Sequence, residues 1–151
     1  YFPSKEEVFR HLVSYAFEVS AETMRIIFEG PETAMEKLDR LSSILVNEVT
    51  TGMSSRYFLI TLQAMTQARN ISGLSEYVEE RIDAYYNYLV PVIREAQNAG
   101  DVVSEDPAVL AAAFLSFVQG LSLLVFQGKG LESKVTPEIL MNMFKKKGMD
   151  V

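Results

Sequence analysis

Combinations of residues that could do acid–base or metal chemistry are few in this chain, although it has 20 Asp and Glu residues. His11 is the only histidine, and Glu7 lies four residues before it. That spacing suits either two metal ligands or an exposed pair on a helix surface, and the exposed pair is the commoner arrangement. Adjacent carboxylates occur as Glu6 beside Glu7 and as Glu79 beside Glu80, but neighbouring helix positions point apart. We therefore predict no catalytic residues and no metal site.

Phosphate and thiol chemistry are equally unsupported. Gly128, Lys129 and Gly130 share only the composition of a phosphate-binding loop, and they are predicted to form a turn. The chain has no cysteine, which excludes disulfides and thiolate ligands. Its formal net charge is −6, whereas binding along a nucleic-acid backbone requires clustered basic residues. The sequence predicts neither an enzyme nor a bound cofactor.

Three glutamine side chains among apolar neighbours give a weak indication of a small-molecule site. Gln63, Gln67 and Gln119 fall within apolar helical segments, where a buried amide must find a hydrogen-bonding partner. An apolar cavity with a few polar groups is the usual character of a small-molecule site. The alternative is a filled core without a cavity. The predicted site for a small lipophilic molecule consists of Leu62, Gln63, Met65, Tyr85, Leu89, Phe114, Phe117, Gln119 and Leu121.

The elements that position these residues are predicted to be helices within a single domain. The 151 residues include 48% hydrophobic and 23% charged residues, which is typical of a globular protein. With only 8 Gly and 5 Pro, the chain has too few breaks for a many-stranded barrel or sandwich. We expect an all-α bundle of about six helices.

Capping residues and periodicity place the first three helices. The first begins at Ser4, where Ser4 and Glu7 have capping-box spacing, and continues to the break at Gly30. Pro31 is expected in the first turn of the second helix, which ends before Gly52. The third helix is predicted from about residue 54 to residue 69.

The last three helices follow similar signals. The fourth is predicted from Leu74 to the Gly100 cap, with a kink or a lost hydrogen bond at Pro91. The fifth starts at the Asp106 cap and runs to about residue 126. A sixth is predicted from Thr136 to the basic residues 145–147, because cations favour a helix C-terminus.

The fifth helix carries no charge from residue 107 to residue 128, and it presents two apolar stripes. One stripe is bulky and includes Phe114, Phe117 and Leu121. The other consists of small residues, which permit close approach of another helix. A membrane span is the rival interpretation, although Gln119 would then lie near mid-membrane. We favour a homodimer interface formed by Ala112, Ser116, Gly120 and Leu123.

Three segments resemble the TetR-type family of transcriptional repressors. Residues 1–9, YFPSKEEVF, are similar to the junction between the recognition helix and the long fourth helix of that family. Residues 93–102, IREAQNAGDV, resemble the end of its seventh helix, and residues 106–121, DPAVLAAAFLSFVQGL, resemble its eighth.

The resemblance implies a cytoplasmic, ligand-responsive repressor that binds no membrane. Residues 1–3 would end a helix-turn-helix DNA-binding domain that lies upstream, and residues 4–151 would form the ligand-binding and dimerisation domain. Tyr1 and Lys5 match positions that often touch operator phosphates. Ligand binding would release operator DNA. The opposite effect, a corepressor that tightens DNA binding, is the alternative. The alternatives are a helical protein–protein interaction module and a single-span membrane protein.

Overall fold

The computed structural model of this chain describes residues 4–51 and 55–148, apart from the side chains of Ser55 and Phe58. Within those residues there are six α-helices, one 3-10 turn over Ala68–Asn70 and no strand beyond one isolated bridge. The predicted all-α bundle is confirmed. The helices are α1 (Lys5–Phe28), α2 (Ala34–Thr50), α3 (Ser55–Gln67), α4 (Leu74–Asn98), α5 (Pro107–Phe126) and α6 (Pro137–Asn142).

Helix α1 begins and ends close to its predicted bounds. The Ser4 hydroxyl accepts a hydrogen bond from the Glu7 backbone N–H at 3.1 Å, which satisfies one donor of the first turn. The helix continues for 24 residues to Phe28. At a rise of about 1.5 Å per residue, it is about 36 Å long.

Helix α2 starts three residues later than predicted. Pro31 is not in its first turn, because Thr33 takes the cap position. The Thr33 hydroxyl accepts from the Glu36 N–H at 3.3 Å, and the Glu36 carboxylate accepts from the Thr33 N–H at 2.8 Å. This reciprocal capping box fixes the start of the helix. The predicted break at Gly52 lies outside the described residues.

Helices α4 and α5 follow the sequence signals closely. Gly100 has φ of +86°, the left-handed conformation predicted for a glycine after a helix. The Asp106 carboxylate accepts from the Ala108 N–H at 2.8 Å and so caps α5. Helix α4 continues through Pro91, which is exposed.

Helix α6 is much shorter than predicted. It ends at Asn142, and the lysines expected in its last turn lie beyond it. The backbone of 144–146 instead pairs with 101–103: Val103 N–H donates to Phe144 O, and Lys146 N–H donates to Asp101 O, both at 2.9 Å. Lys145 also forms a long ion pair with Asp39, at 3.5 Å. The extended pairing satisfies backbone groups that a longer helix would have used internally.

Two hydrophobic cores hold the helices together. The larger one joins the C-terminal part of α1 to α2, α4, α5 and α6. The smaller one lies between the first half of α1, α3, the 3-10 turn and the start of α4. Tyr85 packs against both cores, and the cavity described next lies beside it.

Candidate functional site

A cavity opens between five of the helices. The room inside it for the centre of a water-sized molecule is about 60 Å³. Its floor and walls come from α1, α2, α3, α4 and α5, so a molecule inside it would touch most of the bundle. The described lining residues are Val19, Ser20, Thr23, Met24, Leu45, Glu48, Tyr57, Thr61, Tyr85, Leu115, Val118 and Gln119.

Helical periodicity explains how apolar side chains reach this cavity. Leu115 and Val118 are three residues apart on α5, and Gln119 follows on the same face. Val19 and Met24 approach from α1 on the opposite side. The walls are therefore mainly apolar, as in most sites for small organic molecules.

A few polar groups interrupt these walls. Gln119 is half-buried, and its amide nitrogen lies 3.8 Å from the Met65 sulfur, a weak acceptor. The hydroxyls of Ser20 and Thr23 donate to backbone oxygens one turn earlier in α1, at 3.0 and 3.1 Å. These hydroxyl oxygens keep lone pairs that can accept a hydrogen bond from a ligand.

Tyr85 is the most strongly perturbed titratable group at the cavity. Burial raises its pKa from 10.0 to about 12, and a hydrogen bond with Ser20 opposes that rise. Its ring stacks on Phe17, with centroids 5.9 Å apart. The phenol is therefore neutral at physiological pH and is held in place by packing.

A pair of tyrosines lies on the side of the cavity formed by α1 and α3. The rings of Tyr57 and Tyr15 are 5.7 Å apart and tilted. A hydrogen bond with Tyr15 raises the pKa of the Tyr57 phenol. Tyr57 thus adds a second aromatic wall to the cavity, and like Tyr85 it carries no charge at neutral pH.

The structure brings two of the nine predicted ligand residues to the cavity, Tyr85 and Gln119. The others lie outside the described lining for identifiable reasons. Gln63 and the neighbouring Gln67 are exposed, so the expected buried amides on α3 are absent there. Met65 reaches the cavity edge only through its contact with Gln119. Leu62 and Phe117 are half-buried outside the lining, and Leu89, Phe114 and Leu121 are buried in the larger core.

Phe114 lies on a different face of α5 from the residues that line the cavity. Its ring packs against Phe144, with centroids 5.9 Å apart, and so points towards α6. The next residue, Leu115, faces the cavity instead. On a helix that is apolar all round, periodicity does not reveal which apolar face borders an opening.

Sequence reasoning missed Glu48 and the α1 face of the cavity. Glu48 follows Leu45 by three residues on α2, so both reach the same side of that helix. An acidic residue in an otherwise apolar stripe was the available signal. On α1, Val19 and Thr23 have the matching four-residue spacing.

The predicted dimer residues lie together on the outer face of α5. Ser116, Gly120 and Leu123 are exposed, and Ala112 is half-buried. A Cβ at Gly120 would meet no atom of the chain within 4 Å. Phe126, Ile139 and Met143 are further exposed apolar residues, with relative exposures of 69%, 45% and 56%.

The remaining predicted residues are simpler to place. Lys5 is exposed in the first turn of α1, and Tyr1 lies outside the described residues. His11 and Glu7 are exposed, and no group of acidic residues and histidine suited to a metal was found within the described part of the chain. Helix α5 is long and apolar enough to cross a membrane, yet Leu110 and Val118 are buried in the chain's own core.

The chain matches no protein-family model and no curated protein. Several solved structures share its fold. The regulator AibR, in complex with isovaleryl coenzyme A and operator DNA, matches with a TM-score of 0.71 and 18% identity over 93% of this chain and 72% of AibR. A protein from Saccharomonospora viridis assigned as a transcriptional regulator, in complex with choline, matches with a TM-score of 0.74 and 18% identity over 97% of this chain and 78% of that protein. A Clostridium perfringens protein assigned to the regulation of fatty acid metabolism matches with a TM-score of 0.70 and 17% identity over 94% of this chain and 73% of that protein.

These neighbours establish the fold. At 17–18% identity the likeness concerns the backbone arrangement and not the ligand. The helical bundle of this chain is shared with AibR and with the Saccharomonospora viridis protein.

Proposed function

We propose that this chain is the ligand-binding and dimerisation domain of a cytoplasmic transcriptional regulator of the TetR type. The observation that carries the proposal is the largely apolar cavity between α1, α2, α3, α4 and α5, in a fold shared with regulators bound to isovaleryl coenzyme A and to choline. Residues 4–151 form this domain, and residues 1–3 end a DNA-binding domain that precedes it. The role is regulatory and not enzymatic.

The effector in this proposal is a small molecule with an apolar body. Leu115, Val118 and Leu45 supply apolar surface, while Gln119 and Ser20 offer hydrogen bonds that orient it. A ligand of this kind stabilises the folded state by mass action, by about 2.7 kcal/mol at a hundredfold excess over its Kd.

Dimerisation in this proposal uses the outer face of α5. Small side chains at Ala112, Ser116 and Gly120 allow two copies of the helix to approach closely about a twofold axis. Leu123 and Phe126 contribute apolar surface beside them, since both are exposed in the single subunit.

Helix α1 transmits the effect of the ligand. Its residues Val19, Thr23 and Met24 line the cavity, and its first turn lies roughly 20 Å away at a rise of about 1.5 Å per residue. A ligand that tilts the middle of α1 moves Lys5 and the preceding DNA-binding segment. Tyr1 and Lys5 lie beside operator phosphates in this arrangement, and the movement releases operator DNA.

A cavity-filling variant tests the effector site. The neutral fluorescent probe N-phenyl-1-naphthylamine should bind the chain saturably, with one site per subunit. Leu115→Trp fills the cavity and should abolish that binding, whereas Leu12→Trp, on the exposed face of α1, should leave it unchanged. Equal binding by both variants, or no binding by the unaltered chain, would show that the cavity is not the site.

A further inference from the structure

Gln119 is the polar residue of the cavity whose hydrogen-bonding capacity is least used within the chain. Its amide nitrogen contacts the Met65 sulfur at 3.8 Å, and sulfur is a weak acceptor. Each other polar side chain of the described lining already interacts with another group of the chain: these residues are Ser20, Thr23, Glu48, Tyr57, Thr61 and Tyr85. Gln119 therefore offers a ligand the largest unused capacity.

A side-chain amide presents a donor and an acceptor side by side. Its nitrogen has two N–H groups, and its oxygen has two lone pairs. A ligand group built in the same way can donate to the oxygen and accept from the nitrogen at once, and this pairing is the same whichever way the amide turns.

We infer that the effector bound in the cavity ends in a neutral carboxamide, as a primary amide or a lactam, that pairs with Gln119. This inference rests on the proposed function, because it names the chemistry of the effector site.

The surroundings of Gln119 favour this pairing. The residue is half-buried on α5, one turn after Leu115 and next to Val118, which both line the cavity. In apolar surroundings a hydrogen bond is electrostatically stronger than in water, and an unpaired polar group is more costly. The apolar part of the ligand lies against Leu115, Val118 and Val19, while its amide satisfies Gln119.

The lining offers a carboxylate ligand no compensating charge. No basic side chain is among the described lining residues. Arg81 lies outside the lining, with its guanidinium over the ring of Tyr77, 5.1 Å from the centroid. A carboxylate that entered the cavity would lose hydration without gaining an ion pair there. A carboxamide has the same shape, avoids that cost and adds a donor.

Three ligands of closely matched size and shape test the inference. They are 4-phenylbutanamide, 5-phenylpentan-2-one and 4-phenylbutanoate, each measured by displacement of N-phenyl-1-naphthylamine from the unaltered chain. The ketone can accept a hydrogen bond but cannot donate one. We expect the amide to bind at least as tightly as the ketone, although the amide is more strongly hydrated in water. The carboxylate should bind at least about tenfold more weakly than the amide.

A variant without the amide assigns the preference to one residue. Gln119→Met keeps the approximate length and volume of the side chain but removes its strong donor and acceptor. It should weaken binding of 4-phenylbutanamide by at least about tenfold, because two hydrogen bonds are lost, and weaken ketone binding by less than about threefold. Gln67→Met makes the same change at an exposed position at the end of α3 and should affect neither ligand. Retained probe binding and an unchanged helical circular dichroism spectrum show that the Gln119→Met cavity is intact.

The outcomes separate the inference from the proposed function. Tighter binding of the ketone or the carboxylate than of the amide overturns the inference but leaves the cavity as an effector site. Amide binding that Gln119→Met does not weaken, or weakens no more than ketone binding, also overturns it. If Gln119→Met does not fold, the ligand series with the unaltered chain decides. Failure of the probe and of all three ligands to bind refutes both.

Discussion

Tyr85 is the residue whose ionisation should be visible in the stability of the protein. Burial raises its pKa to about 12 in the folded state, against 10.0 ordinarily. The folded protein therefore holds the phenolic proton more tightly than the unfolded chain does. The resulting stabilisation is complete below about pH 10 and is lost as the pH rises to about 12.

Tyr85→Phe removes this dependence. Between about pH 9 and about pH 12 the unaltered chain should lose roughly 2 kcal/mol of unfolding free energy relative to the variant. Urea denaturation of both proteins across this range measures the difference, because the titration of all other groups is common to them. Parallel stability curves would mean that the phenol is not buried as described.

At the residue scale, the sequence predicted the apolar character of the site better than it predicted which residues line the cavity. Tyr85 and Gln119 were predicted and line the cavity, because a polar group in an apolar helix stripe is a visible signal. Phe114 and Leu121 were assigned to the site but lie in the core. Core and cavity walls have the same composition, so only the packing of five helices distinguishes them.

At the scale of elements, the start of α2 is defined by one capping box. Thr33→Ala removes the side-chain acceptor for the Glu36 N–H and should lower the unfolding free energy by about 1 kcal/mol. The same change at Thr66, an exposed residue inside α3, removes no cap and should cost little. Urea denaturation compares the two variants.

The same box also controls a pKa. Hydrogen bonds from Thr33 lower the pKa of the Glu36 carboxyl. The Thr33 backbone N–H is the larger cause and is kept in Thr33→Ala, so loss of the hydroxyl should raise this pKa only part of the way towards 4.5, as followed by NMR titration of the side-chain carboxyl. An ordinary Glu36 pKa in the unaltered chain would show that the box does not form in solution.

Element bounds were predictable wherever a local signal set them. Ser4, Gly100 and Asp106 cap their helices as the sequence suggested. The predicted end of α6 was wrong, because the backbone after this helix pairs with 101–103, some forty residues earlier in the chain. Such pairing is a tertiary contact, and helix propensity at residues 145–147 contains no information about it.

At the scale of the whole molecule, the exposed apolar surface should determine the oligomeric state. Leu123→Glu places a charge on the outer face of α5 and should convert the proposed dimer into a monomer at micromolar concentration. Ile26→Glu makes the same kind of change on the exposed face of α1, where relative exposure is 50%, and should leave the dimer intact. Sedimentation equilibrium of both variants decides between the two faces.

The six-helix order was predictable because it depends on caps, breaks and periodicity within single segments. The cavity was only partly predictable, since its volume arises where α1, α2 and α3 meet α4 and α5 without filling the space between Tyr85 and Gln119. No local pattern encodes the gap that remains between packed helices.

Operator titration with and without a cavity ligand tests the central claim most directly. The protein must include both this chain and the DNA-binding segment proposed to precede Tyr1, and the ligand is N-phenyl-1-naphthylamine at a concentration that saturates the cavity. The account predicts that operator affinity falls by about 5-fold to 150-fold, the usual range of such coupling, and that Leu115→Trp abolishes the response. An operator affinity that does not change while the cavity is occupied would contradict it.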